Sequence, residues 1–160
     1  MIGLFYPLLK WLHVLLAITA VGANITYGVW IARAQRDREH LAHVLRTVKF
    51  IDDRIANPAY AGLLATGLAM VFLVNGALLL TPWLLISLVL YAVVVVLGLF
   101  MYTPTLRRQI AAAEQAGPDS QDYKIAAGQG RQLGMILAAL VVVIVFLMVA
   151  KPGAAVALSP

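Results

Sequence analysis

Four stretches of this chain are each long and apolar enough to cross a lipid bilayer: roughly Leu4 to Ile31, Pro58 to Leu79, Pro82 to Tyr102 and Gln132 to Ala150. A spanning helix needs about 20 mostly apolar residues, because 1.5 Å of rise per residue must cover roughly 30 Å of hydrocarbon. Inside that hydrocarbon every backbone N–H and C=O must find its partner within the segment, so the stretches have to be helical. Composition closes off the soluble alternative. Of the 160 residues, 62% are hydrophobic and 12% charged, whereas a soluble domain carries about a quarter charged residues. A chain this short has too little interior to hide that much apolar surface. The expected fold is all-α: an integral-membrane four-helix bundle, a single transmembrane domain over residues 1–160. The first stretch reads as a retained span, because no charge precedes Lys10 and the apolar run outlasts the ~7–15 residues of a signal-peptide core.

Charge sets the orientation. The segment between spans one and two carries Arg33, Arg36, Arg38, Arg46, Lys49 and Arg54, and the one between spans three and four carries Arg107, Arg108, Lys124 and Arg131. The opposite side has Lys10 and Lys151. Such a bias places both long connections in the cytoplasm and both termini outside, N-out/C-out. Spans two and three are separated by "LLTPW", a tight hairpin in which Pro82 suits the first turn of a helix. In the first connection Leu41, Val44, Leu45, Val48, Ile51 and Ile55 recur at helical spacing, which predicts an amphipathic helix. It either lies on anionic headgroups or packs against the second connection; the simplest form is a cytoplasmic continuation of span one that caps the bundle. The second connection predicts a helical tail, a turn at "GPDS" and a short helix.

The polar residues of span one are not scattered. At ~100° per residue, Lys10, His13, Ala17, Ala20, Asn24 and Tyr27 or Gly28 share one face. Lipid cannot satisfy an imidazole or an amide, so that face should meet protein. Span three has a matching stripe of Ser87, Tyr91, Val94, Gly98 and Tyr102, and span two offers Tyr60, Thr66 and Gly67. Span four has almost no polar side chains and is expected to be the most lipid-exposed. Counting inward ~13 Å from the outer ends brings His13, Met70 and Tyr91 to one level. These three are the candidate cofactor-binding residues. His13 can ligate a haem iron or a copper ion, with Met70 as a thioether partner. Alternatively it is a neutral imidazole bonded to Tyr91 or a carbonyl, with Met70 filling space. A homodimer could pair two copies of His13. His40 and His43 share a face, but the arginines around them oppose a cation. Lys10 is placed to snorkel to the headgroups.

Other chemistries are missing. No phosphate-binding glycine motif or GxSxG is present, the spans hold no aspartate or glutamate, and there are no cysteines. The chain therefore lacks the intramembrane carboxylate of a proton-coupled transporter and has no cysteine chemistry. No catalytic constellation marks it as an enzyme. Its basic connections are explained by topology, so nucleic acid is not an expected partner; the lipid bilayer is, together with a second copy or a larger membrane complex.

"LKWLHVLLAITAVGA", with Lys10 and His13 in a K-x-L-H start, resembles the first helix of a broad group of small four-helix bacterial membrane proteins. "IANPAYAGLLATGLAM" (55–70) and "TPWLLISLVLYAVVV", followed by "TPTLRR", are similar as well. That superfamily includes the copper-resistance D domain, the four-helix protoporphyrinogen oxidases and a predicted integral-membrane family of unknown function, to which the likeness is closest. The resemblance implies a multi-pass protein of the bacterial inner membrane. In the oxidase relatives the helix-one histidine, matched by His13, is proposed to ligate haem b, with a helix-three lysine and a helix-one arginine also important. This chain has Ser87 and Val29 at about those places, so the resemblance does not carry porphyrin oxidation over. It implies a small membrane protein of unassigned activity, a haem-b redox protein using His13, or a non-catalytic accessory subunit.

Overall fold

The computed structural model describes residues 2–74, 76, 79 and 81–153. Helix α1 spans Ile2–Ala34 and α2 spans Leu41–Ile51, which runs through a π-helical turn, Asp52–Ala56, into α3, Asn57–Leu73. Helix α4, Pro82–Leu97, runs through a second π-helical turn, Gly98–Tyr102, into α5, Thr103–Gln115, and α6 spans Gln121–Ala150. Four continuous helices thus have the length and apolarity to cross a membrane. Their outward faces carry Phe72, Phe100 and Val149, each at least 74% exposed, as lipid-facing side chains should be. The last helix buries least, 11% of its most apolar window against 17–22% in the other three.

Both π turns have the same local cause. Pro58 and Pro104 fall at the second position of α3 and α5. A proline removes one N–H and its ring collides with the carbonyl four residues back. Widening the preceding turn relieves that collision without stopping the helix.

The continuous path through Pro58 corrects one expectation. The amphipathic helix is continuous with span two and not with span one, because the chain breaks at Gln35–His40 instead. It does pack against the second connection. Leu41, Leu45 and Val48 are buried in one cluster with Leu106 and Tyr123, while Arg46 pairs with Glu114 at 2.8 Å and Arg38 with Asp119. Two helix limits also differ. Span two was expected to reach Leu79, but α3 ends at Leu73, where Gly76 takes φ 71° and donates its N–H to the Val71 carbonyl at 3.0 Å. The short helix after "GPDS" is fused to span four: Ser120 accepts from the Tyr123 N–H at 3.2 Å, and α6 runs from there without interruption.

Antiparallel packing arranges the helices as two pairs, α1 with α3 and α4 with α6. Gly62 and Gly67 let α1 come close: a Cβ at Gly62 would lie 2.9 Å from Leu16 Cδ1, and one at Gly67 3.3 Å from His13 Cε1. Helix α5 joins the pairs at the basic end by packing on α2 and α6. Higher up, α3 and α4 make no close backbone approach among the described residues although they are consecutive.

In the 35–40 connection Asp37 bonds His40 Nδ1 at 3.0 Å. That bond raises the His40 pKa above its ordinary value and lowers that of Asp37. The pairing is therefore complete between the two values, fading as pH rises through the raised His40 value or falls through the depressed Asp37 value. In an NMR titration the His40 ring should show a raised midpoint, and Asp37→Asn should return it to the ordinary histidine value. A midpoint unmoved by that substitution counts against the bond.

Candidate functional site

Two places in the bundle carry unusual polar chemistry. The first is the α1/α3 seam. Thr66 lies buried on α3, and its hydroxyl donates back to the Gly62 carbonyl at 2.7 Å. Its single proton thus committed, Thr66 Oγ1 accepts from His13 Nδ1 at 2.8 Å. With that donation Nδ1 carries the proton and Nε2 keeps a lone pair; the Leu63 carbonyl, which also lies 3.2 Å from the Thr66 hydroxyl, forms a backbone hydrogen bond with the ring as well. Gly67 offers the ring a flat place to lie. Met70 is four residues beyond Thr66, on the same face of α3 and one turn further from the basic end, and is partly buried.

Of the three residues expected at one level, His13 lies against Thr66 and Gly67, a turn below Met70, and Tyr91 is engaged elsewhere. Tyr91 donates to the Tyr60 carbonyl at 2.6 Å and its ring lies 6.4 Å from the Tyr60 ring. Tyr60 in turn accepts from Asn24, eleven residues further along α1 than His13, or about 16 Å by rise. The Met70 level was counted from an end at Leu79, whereas α3 ends at Leu73, so the count along this helix starts a turn or more too far out.

The second place is the gap between the helix pairs. A partly open cleft of about 900 Å³ lies there, walled by all four long helices. Its polar wall holds Asn24, Tyr27, Asp52, Tyr60, Tyr91 and Tyr102. The two π turns face it, one supplying Asp52 and the other Gly98 and Tyr102. Tyr27 is 3% exposed, and its hydroxyl has no hydrogen-bond partner among the described residues. Asp52 is 7% exposed and takes a single long bond, 3.4 Å, from Asn57.

A family model described as predicted integral membrane protein (DUF2269) matches residues 7–152. The chain belongs to this family. No curated protein and no solved structure matches it. As a DUF2269 member the protein is an integral membrane protein, and its matched region includes the α1/α3 seam and the whole cleft.

The two positions of departure are silent in this DUF2269 chain. The Ser87 hydroxyl is fully buried and closes on the Trp83 carbonyl of its own helix at 2.7 Å, while Val29 is 64% exposed on the outer face of α1. Sequence reasoning missed Asp52. Its spacing of four from Val48 puts it on the apolar stripe of the amphipathic helix, and that lone acid on an apolar face was the available signal. It also missed Thr66 as the partner of His13, although both had been placed on inward stripes.

Asn24 and Tyr60 share one bond, so their removal should not be additive. Asn24→Leu and Tyr60→Phe should each destabilise the bundle by ~0.6 kcal/mol, up to ~2, and the double variant by little more than one of them. Unfolding in mixed micelles measures all three; independent effects that simply sum would refute the bond.

Proposed function

We propose that this protein is a haem-b-binding membrane protein in which His13 would hold the iron, lying in the bacterial inner membrane with its basic end in the cytoplasm. The observation carrying this reading is the Thr66 bond to Nδ1. A ligating histidine almost always donates its other ring N–H to a fixed acceptor, which orients the ring and leaves the second nitrogen basic. The donor set favours haem over bare copper. No group of three or more His, Cys, Asp or Glu suited to a metal exists among the described residues, and haem brings its own four equatorial nitrogens, so one imidazole can hold it. Because α1 and α3 touch closely at Gly62 and Gly67, His13 would hold the group from the partly exposed side of its ring. Met70, one turn along α3 from Thr66, is the thioether that would share ligation if it reached the iron, and His/Met ligation raises the iron potential. Bound there, haem would supply one-electron chemistry. The residues of this chain supply orientation through Thr66 and Gly67, and an apolar, low-dielectric surround that favours the less charged oxidation state. The resemblance of the K-x-L-H start to haem-related relatives agrees with this assignment.

Protein purified from haem-supplemented cells should show a Soret band that His13→Ala abolishes. Thr66→Val, which removes the acceptor but keeps the shape, should weaken haem retention by roughly 10- to 100-fold. A colourless preparation, or a band indifferent to His13, would rule the reading out; bound copper without haem would replace it. For the orientation, a reporter fused after Pro160 should be active as a periplasmic protein and one inserted at residues 116–120 as a cytoplasmic one.

A further inference from the structure

The cleft between the helix pairs holds a buried carboxylate that no cation neutralises. Asp52 is 93% buried by its 7% exposure, and none of the ion pairs among the described residues includes it. Burial pushes the Asp52 carboxyl above its ordinary pKa; Lys49, one turn back, opposes this through space, but the Lys49 ammonium is committed to Asp53. Among the described residues, the only bond to Asp52 is the long one from Asn57. Taking an unpaired carboxylate out of water costs several kcal/mol, so a chain that keeps one at a cavity wall has a site shaped for a positive charge. The same wall carries four tyrosines, Tyr27, Tyr60, Tyr91 and Tyr102. Tyrosine faces attract cations, and rings gathered around a carboxylate are the usual recognition of alkylated ammonium groups. The two arginines of the wall, Arg36 and Arg131, are both exposed. They sit at the basic end, where the charge bias that orients the protein already accounts for them.

Size and position define the rest of the ligand. A cleft of about 900 Å³ is at the upper end of the ~300–1,000 Å³ of small-molecule sites. It is partly open, the helices around it present apolar side chains outward, and exposed Arg36 and Arg131 line its basic end, which suits an amphipathic occupant drawn from the membrane interface. The geometry points to a binding site for a monovalent organic cation with a bulky apolar body, its charge set against Asp52 and its body among Tyr27, Tyr60, Tyr91 and Tyr102. This site is independent of His13, which is not part of the cleft wall.

Tetraphenylphosphonium and tetraphenylborate have the same shape and opposite charge, which makes them the probes. With the protein in phosphatidylcholine nanodiscs, equilibrium dialysis should show saturable binding of the phosphonium and none of the borate. Asp52→Asn should weaken phosphonium binding at least about tenfold, whereas Glu39→Gln, which removes an exposed charge away from the cleft, should change it less than twofold. The asparagine variant removes an unpaired buried charge, so its fold should survive, as circular dichroism can verify. Tyr102→Leu should lower affinity several-fold and Tyr102→Phe restore it, because the ring and not the hydroxyl is required. Equal binding of both ions, or an unchanged constant for Asp52→Asn, overturns the proposal. So does displacement of the phosphonium by anionic phosphatidylglycerol to the same extent in wild type and Asp52→Asn, which would mark the cleft as a slot for anionic lipid.

Discussion

Among the described residues, the hydrogen-bonded chain that crosses the apolar middle of this bundle runs from Asn24 on α1 to the Tyr60 hydroxyl, and from the Tyr60 carbonyl to Tyr91 on α4. The arrangement of two helix pairs around a cleft depends on it. Helices in lipid have no hydrophobic drive to associate, since acyl chains are as apolar as leucine; close packing of small residues and interhelical hydrogen bonds must do it. The α1/α3 pair uses both, with Gly62 and Gly67 in the seam. Between α3 and α4 the backbones stay apart. There a tyrosine side chain acts as a spacer, long enough to bond across the gap and too bulky to let it close.

The basic end is built differently because it is built in water. Leu41, Leu45 and Val48 bury themselves against α5 with Leu106, and the ion pairs Arg46–Glu114 and Arg38–Asp119 are exposed at its surface. Exposed pairs contribute little, a median of about 0–1 kcal/mol, so the apolar cluster holds this end and the charges select partners for register. The bundle is closed there by a soluble-type core and left open above it. The cleft runs from between the spans down to this end, where Gln35, Arg36, Gln109 and Arg131 give it a polar floor.

Most of the architecture could be read from the residues, and the reasons differ by element. The four spans and the common end of the two connections follow from hydropathy and charge, which lipid enforces without regard to detail. The inward stripe of α1 was legible because an amide and an imidazole have one acceptable direction in a membrane. Contacts between spans were not legible to the same degree. His13 pairs with Thr66, while Tyr91 is taken up by the Tyr60 carbonyl; the level along α3 was hidden because Gly76 ends that helix while the apolar sequence continues. The continuity of α2 with α3 was hidden for a related reason. Proline before a span looks like a boundary, and only a π turn lets the helix pass through it.

Those π turns tie the fold to the chemistry of the cleft. Inserting one extra residue in a turn rotates the helix before it by about 100° relative to the helix after it. Ahead of Pro58 the rotation sets the amphipathic helix, whose apolar stripe must face α5, in phase with a span whose inward face carries Tyr60 and Thr66. Asp52 stands where the two phases meet, on the stripe and on the cleft wall together. A regular helix in its place would have to choose between burying Leu45 and Val48 at one end and presenting Tyr60 at the other. The same proline that forces the wide turn therefore lets one continuous helix serve a water-facing core below and a membrane cleft above, and it leaves a carboxylate at the junction.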